Sequence, residues 1–191
     1  MAFATIDNFL QQGLQYNGAR PSRFMCNLTL PNVVSGYTGA SEKFTYTCRA
    51  ASIPSFDVGV VSVGYMGRVL KFSGDRVWNN WKTTVILDQD YITRTMFEAW
   101  SNGIDALDQN VMDPTASYTN YKATMDIYHL GQDDSVLAQY TLTGIWPSSV
   151  GPISLSWNQT NAISEFDVDF AFDNCKLSSG NQISGLPVYS V

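Results

Sequence analysis

The sequence predicts a mainly β fold: an antiparallel β-sandwich or barrel with one packed α-helix and a short N-terminal helix. Three observations point that way. Residues 163–173 alternate between apolar and acidic side chains, several other runs rich in Val, Thr, Phe and Tyr are divided by turn-forming residues, and one later segment has helical periodicity. With 191 residues, 45% hydrophobic and 15% charged, the chain can bury a core without staples.

Taken in order, Phe3, Ile6, Phe9, Leu10 and Leu14 recur at helical spacing, and Gly13 and Gly18 bracket the end of that helix. Strand composition follows over 24–30, 43–50, 58–72 and 81–87. Ser73-Gly74-Asp75-Arg76 has the turn chemistry to join two of these strands as a hairpin. Asp88 or Asp90 caps the packed helix, Ile92, Met96, Phe97 and Trp100 share its buried face, and Gly103 stops it. Residues 102–121 contain Asp113-Pro114 and lack a period, so they read as a long surface loop. Strands return over 122–130, 136–145 and 163–173, the first two joined by a turn at Gly131-Gln132-Asp133-Asp134. The Ser- and Gly-rich stretch 174–191 reads as an arm or tail beyond a single domain spanning 1–173.

Several function classes are disfavoured. Eleven Lys and Arg against seventeen Asp and Glu give a net charge of −6, the wrong sign for gripping phosphates tightly. No apolar run approaches the roughly 20 residues that span a bilayer, so no membrane anchor is expected. The N-terminus lacks the basic segment of a signal peptide. Cys26, Cys48 and Cys175 are odd in number and far apart, as idle thiols rather than a disulfide scaffold. His129 is the single histidine and stands beside no nucleophile motif, and with three scattered cysteines it makes no zinc spacing. Asp88-Gln89-Asp90 is explained by helix capping more simply than by calcium. No enzyme activity, metal or cofactor is expected.

Within 163–173 the residues Phe166, Val168, Phe170 and Phe172 form one face, while Glu165, Asp167, Asp169 and Asp173 fall on the other. Carboxylates at i and i+2 on a strand lie only about 7 Å apart and repel unless water screens them. That face is therefore wet, either as an ordinary solvated surface or as an anionic wall past which a polyanion slides.

An ordered set of motifs resembles the tail tube proteins of T-even-like contractile phages. The set begins with Ala19-Arg20-Pro21 and Phe24 and runs through Cys48-Arg49-Ala50, Ile53-Pro54 and Val63-Gly64-Tyr65-Met66 with Arg68. Gly74-Asp75-Arg76 followed by Trp81 resembles the family's most recognisable hairpin, and Asp88, Arg94, Phe97 and Trp100 match its helix. Gly144-Ile145-Trp146-Pro147, Val150-Gly151, Trp157 and Phe166-Asp167-Val168 with Asp173 complete it. The resemblance covers residues 20–173 and departs from the family at 31–41, 103–121 and 174–191.

What the resemblance implies is a β-barrel subunit that closes into hexameric rings, which stack into a tube. Contacts of unlike surfaces close a ring in one direction and stay open for stacking in the other, and strands joined between chains leave no bare edges. Six copies at −6 would give a ring about −36 formal charges, enough to keep DNA from adhering to the bore. Glu165, Asp167, Asp169 and Asp173 then become candidates for the lumen wall, and Val60, Val61, Tyr65 and Met66 for contacts between subunits or rings, the alternative for the latter being their own chain's core. Arg20, Pro21, Gly74, Asp75, Arg76, Trp81, Trp100, Trp146 and Pro147 carry the family's structural motifs. The implied partners are further copies of the chain, the tail sheath protein, baseplate and tail-terminator proteins, a tape measure protein in the lumen and DNA in transit. The implied location is the virion tail, assembled in the bacterial host cytoplasm. Rival readings are a tube subunit of a type VI secretion system or phage-derived injection particle, a carbohydrate-binding module using Trp78 or Tyr118, and a glycosidase with two acids.

Overall fold

The computed structural model describes residues 6, 9–13, 18–106 and 117–180. Of the expected N-terminal helix only Ile6 and a wide helical turn, Phe9–Gly13, fall among them. Nine strands are described: β1 (Phe24–Thr29), β2 (Cys48–Ala51), β3 (Phe56–Tyr65), β4 (Arg68–Trp78), β5 (Trp81–Ile86), β6 (Ala123–Leu130), β7 (Val136–Val150), β8 (Glu165–Ala171) and β9 (Asn174–Gly180). Every pairing between them is antiparallel.

β7 is shared by two sheets. Its first part lies between β6 and β9, with β1 beyond β6, and its last part pairs with β8, followed by β5 and β2. The change of sheet falls at Trp146-Pro147: Trp146 opposes Ala171, and the register slips between Pro147 and Ser149. Proline donates no ladder hydrogen bond, so it suits such an irregularity. Alternation then decides what is buried. Cys26 and Leu28 of β1, Met125 and Ile127 of β6, and Phe166, Val168 and Phe170 of β8 point into one core.

Helix α2 (Ile92–Ile104) closes that core with Thr93, Met96, Phe97 and Trp100 on its inner face. Phe97 is the hub: its ring centroid lies 5.7 Å from Phe44, 5.7 Å from Phe170, 6.3 Å from Phe166 and 6.5 Å from Trp100. Asp88 accepts hydrogen bonds from the N–H groups of Ile92 (3.1 Å) and Thr93 (3.4 Å), so it is the expected cap, while Asp90 pairs with Lys43 at 2.8 Å. Burial pushes the Asp88 carboxyl up, but Lys43 and those two amides outweigh it and hold it below its ordinary value.

Four expectations need correction. Residues 43–50 do not form one strand: Ala40–Thr47 is a helix, α1, and only Cys48 begins β2. Ala40 and Phe44 bury one stripe at helical spacing, and the Thr45 and Thr47 hydroxyls donate to the carbonyls of Ser41 and Lys43 instead of supporting a ladder. The hairpin turn is not at Ser73–Arg76, which lies inside β4, but at Met66-Gly67. Gly103 does not stop α2, which continues to Ile104; a side chain there would place its Cβ 2.0 Å from Val33 Cγ1, so close packing excludes one. The stretch expected as an arm from Asn174 forms β9 on the free side of β7 as far as Gly180. Within 102–121, α2 runs through its first residues and Tyr118–Tyr121 make one short helical turn, α3; 107–116 lie outside the described residues.

Candidate assembly surface

Among the described residues β3 and β4 pair only with each other, in a two-stranded sheet apart from the rest. The whole of β3 is exposed, and so is nearly all of β4. Val60, Val61, Tyr65 and Met66 are 64%, 52%, 63% and 86% exposed, so they lie outside the core that the described residues form. Consecutive residues of a strand point to opposite faces, so Val60 with Val61, and Val69 with Leu70, make both faces of the arm apolar.

The turn has φ values of 47° at Met66 and 77° at Gly67. Two left-handed residues in succession match the twist of a tight hairpin, where Asn-Gly is the favoured pair. Methionine at the first position is a local cost with no packing gain inside the chain, as expected when the side chain serves a surface outside it. The outer part of the arm, 60–73, carries Arg68 and Lys71 and no acid. Its base is pinned. Asn79 donates to Asp57 at 2.9 Å, the Arg76 guanidinium lies 4.3 Å from the Phe56 ring centroid, and Trp78 packs on Phe56 at 5.4 Å and on Phe172 at 5.7 Å. Gly74 sits opposite Gly59, where a Cβ would come within 3.0 Å of the Gly59 carbonyl carbon.

The acidic face of β8 is less bare than its sequence suggests. Glu165 pairs with Arg49, and Asp167 accepts from Lys82 at 2.9 Å and Thr84 at 2.8 Å. The hydrogen bond from Lys82, with that from Thr84, holds the Asp167 carboxyl below its ordinary value. Asp169 has no ion pair of its own among the described residues. Asp173 lies beyond the end of β8, so it is not in the row: both its oxygens accept from Lys122 at 2.7 Å, and Tyr118 donates to it at 2.5 Å.

The remaining motif residues hold the frame. Trp81 is buried and donates from Nε1 to the Ser52 carbonyl at 2.5 Å; Trp100 donates to the Tyr121 carbonyl at 2.7 Å. Trp146 meets the Tyr121 ring edge to face at 6.4 Å, and Pro147 marks the passage between sheets. Among the described residues, no side-chain hydrogen bond or ion pair accounts for Arg20, Pro21 or Asp75. Trp78 is occupied at the arm's base, whereas the Tyr118 ring has Lys122 Nζ 3.9 Å from its centroid and stays 59% exposed. His129 is half-buried, with Nε2 3.1 Å from the Arg20 carbonyl oxygen. The local sequence hid the arm's isolation, because apolar strand runs read alike whether they face a core or solvent.

A folded domain that holds out an apolar two-stranded arm with neither face covered has the make-up of an assembly subunit, completed by another chain. The phage tail tube protein family matches residues 19–178. The chain belongs to that family and is a structural component of a phage tail. It is 29% identical over 156 residues to tail tube protein gp19 of Enterobacteria phage T4, covering 81% of this chain and 89% of that protein. It is 23% identical over 175 residues to the tail tube protein of Serratia phage KSP90, covering 88% and 94%. A chain from the cryo-EM structure of the anti-feeding prophage baseplate has the same fold, with a TM-score of 0.60 at 12% identity over 87% of this chain and 98% of that one.

Proposed function

We propose that this chain is the subunit of the inner tube of a contractile phage tail, closing into hexameric rings that stack into a conduit for genome delivery. The exposed arm carries this reading: an isolated two-stranded hairpin is at best marginally stable in water, and apolar on both faces it needs cover from neighbouring copies. Val60, Val61, Tyr65 and Met66 lie within that contact. A tube has no turnover, so the subunit acts as a rigid passive wall, driven forward when a surrounding sheath contracts.

In this reading Glu165, Asp167 and Asp169 face the lumen. With Arg49 and Lys82 beside them the face keeps a net charge of −1 per subunit (three acids less two bases), weakly repelling to DNA without attracting counter-charged partners. Asp173, clamped by Lys122, acts as a structural pin instead. The tube domain takes in β9, and only residues past Gly180 remain for an arm. Sheath, baseplate, terminator and tape measure proteins are the partners, DNA passes through without tight binding, and assembly takes place in the host cytoplasm. Negative-stain imaging of the purified chain, alone and with a baseplate nucleus, is the test. Stacked six-fold rings with an open bore are expected; a chain that stays monomeric in both conditions overturns the proposal.

A further inference from the structure

The arm needs a receiving surface, and the chain carries a second uncovered apolar element that suits it. Residues 151–164, between β7 and β8, leave Leu155 and Ile163 80% and 71% exposed and Trp157 wholly exposed. A wholly exposed tryptophan is out of place on a solvated loop, and fully buried tryptophans are among the strongest anchors of protein interfaces.

The two elements sit at opposite ends of one sheet. β5 and β8 are antiparallel, with Trp81 opposite Phe170 at one end and Ile86 opposite Glu165 at the other. The arm leaves from the first end, where β4 runs into Trp81 and Trp78 touches Phe172. The loop lies at the second, held by hydrogen bonds from Leu87 N–H to the Ser164 carbonyl at 2.9 Å, from Gly151 N–H to Asp167 at 2.7 Å and from Arg94 to the Gly151 carbonyl at 2.5 Å. The six residues of β5 separate the ends by about 17 Å at ~3.3 Å per residue. Two unlike patches rooted at opposite ends of one sheet suit head-to-tail contacts, which leave an assembly open to growth.

Charge agrees. Outer arm residues 60–73 hold two of the eleven bases and none of the seventeen acids, so the rest of the chain is 9 − 17 = −8. Arg94 bonds both the Gly151 carbonyl and Glu98, which places a 53% exposed acid near the loop, and Asp90, 69% exposed, pairs with Lys43. Arg68 and Lys71 have no ion pair among the described residues, so they can add to these existing pairs.

We infer that the arm of one copy seats on the 151–164 loop of the next, with Tyr65 and Met66 packed against Leu155 and Trp157. This rests on the tube reading and names the surface that the arm meets. Its test places photoreactive benzoyl-phenylalanine at position 157 of the full chain, assembles a mixture of isotopically light and heavy copies, and maps cross-links by mass spectrometry. Cross-links between light and heavy copies, landing on 60–71, are the expected result. Tubes whose cross-links fall elsewhere, or within one copy, refute the pairing and leave tube formation standing; a native chain that never polymerises refutes both. As a companion, Trp157→Ala touches no core and is expected to fold normally while raising the critical concentration for assembly at least tenfold. An unchanged critical concentration also overturns the pairing.

Discussion

Replacing Tyr65 and Met66 together by Asp separates folding from assembly. These side chains are 63% and 86% exposed in the single chain, so their apolar surface is nearly all available for burial by a neighbour. Full burial of an apolar side chain of this size contributes about 1.5–3 kcal/mol, so the exposed fractions of the pair contribute about 2–4.5 kcal/mol to each contact. At 1.4 kcal/mol per tenfold, the double variant weakens each contact by about two to three orders of magnitude, before counting the cost of trapping two carboxylates. The fold itself should barely notice, because exposed substitutions away from special features shift stability by about 0.5 kcal/mol or less. Asp also tolerates the φ of 47° at position 66 at least as well as Met. Sedimentation and electron microscopy read assembly, and circular-dichroism melting reads the fold. Tubes at the native concentration would refute the reasoning, as would a large fall in melting temperature, which would place these residues in the chain's own core.

Gly103→Ala should destabilise the fold by about 1–3 kcal/mol in denaturant titration, because the added methyl meets Val33; a gain, as an open helix position would give, would contradict that packing. The carboxyls of Asp88, Asp167 and Asp173 lie below their ordinary 3.8, Asp173 because Lys122 and Tyr118 outweigh the upward push of burial. Depressed acids stabilise the fold above their unfolded pKa and lose that contribution as pH falls through the folded one, so urea midpoints should drop below pH 3.8, and Asp173→Asn should flatten the drop. Asp169→Lys breaks no ion pair among the described residues and shifts the net charge of the proposed bore by +2 per copy; particles carrying it should assemble normally but eject DNA more slowly, and normal ejection would remove β8 from the lumen.

Local periodicity carried most of the frame. β1, β5, β6, β8 and the buried face of α2 were legible because alternation and the 3.6-residue repeat follow directly from burial, and Asp88 was legible as a cap from its place before Ile92. Helix α1 was not, since Phe44-Thr45-Tyr46-Thr47 has strand composition, and the contact that favours a helix there, Phe44 edge to face on Phe97, comes from far along the chain. The hairpin turn was missed for a related reason: Gly74 and Asp75 look like turn formers but accommodate a bulge opposite Val58–Val60, whereas Met66 enters the left-handed region without turn-like chemistry. The acidic row was visible in sequence, but its neutralisation was not, because Arg49, Lys82 and Lys122 arrive from other strands and loops. Motif order pointed to the family, while the arm's isolation from both main sheets became apparent only in three dimensions.

Hydrogen exchange tests the idea of a covered arm most directly. Backbone amides of 56–78 should exchange readily in the single chain, where β3 and β4 have no third strand among the described residues and lie exposed over their outer length. In assembled tubes the same amides should slow by orders of magnitude, while those of α2 and β8, buried in both states, change little. Equal exchange of the arm in free and assembled protein would mean that another surface joins the copies, and would contradict the account.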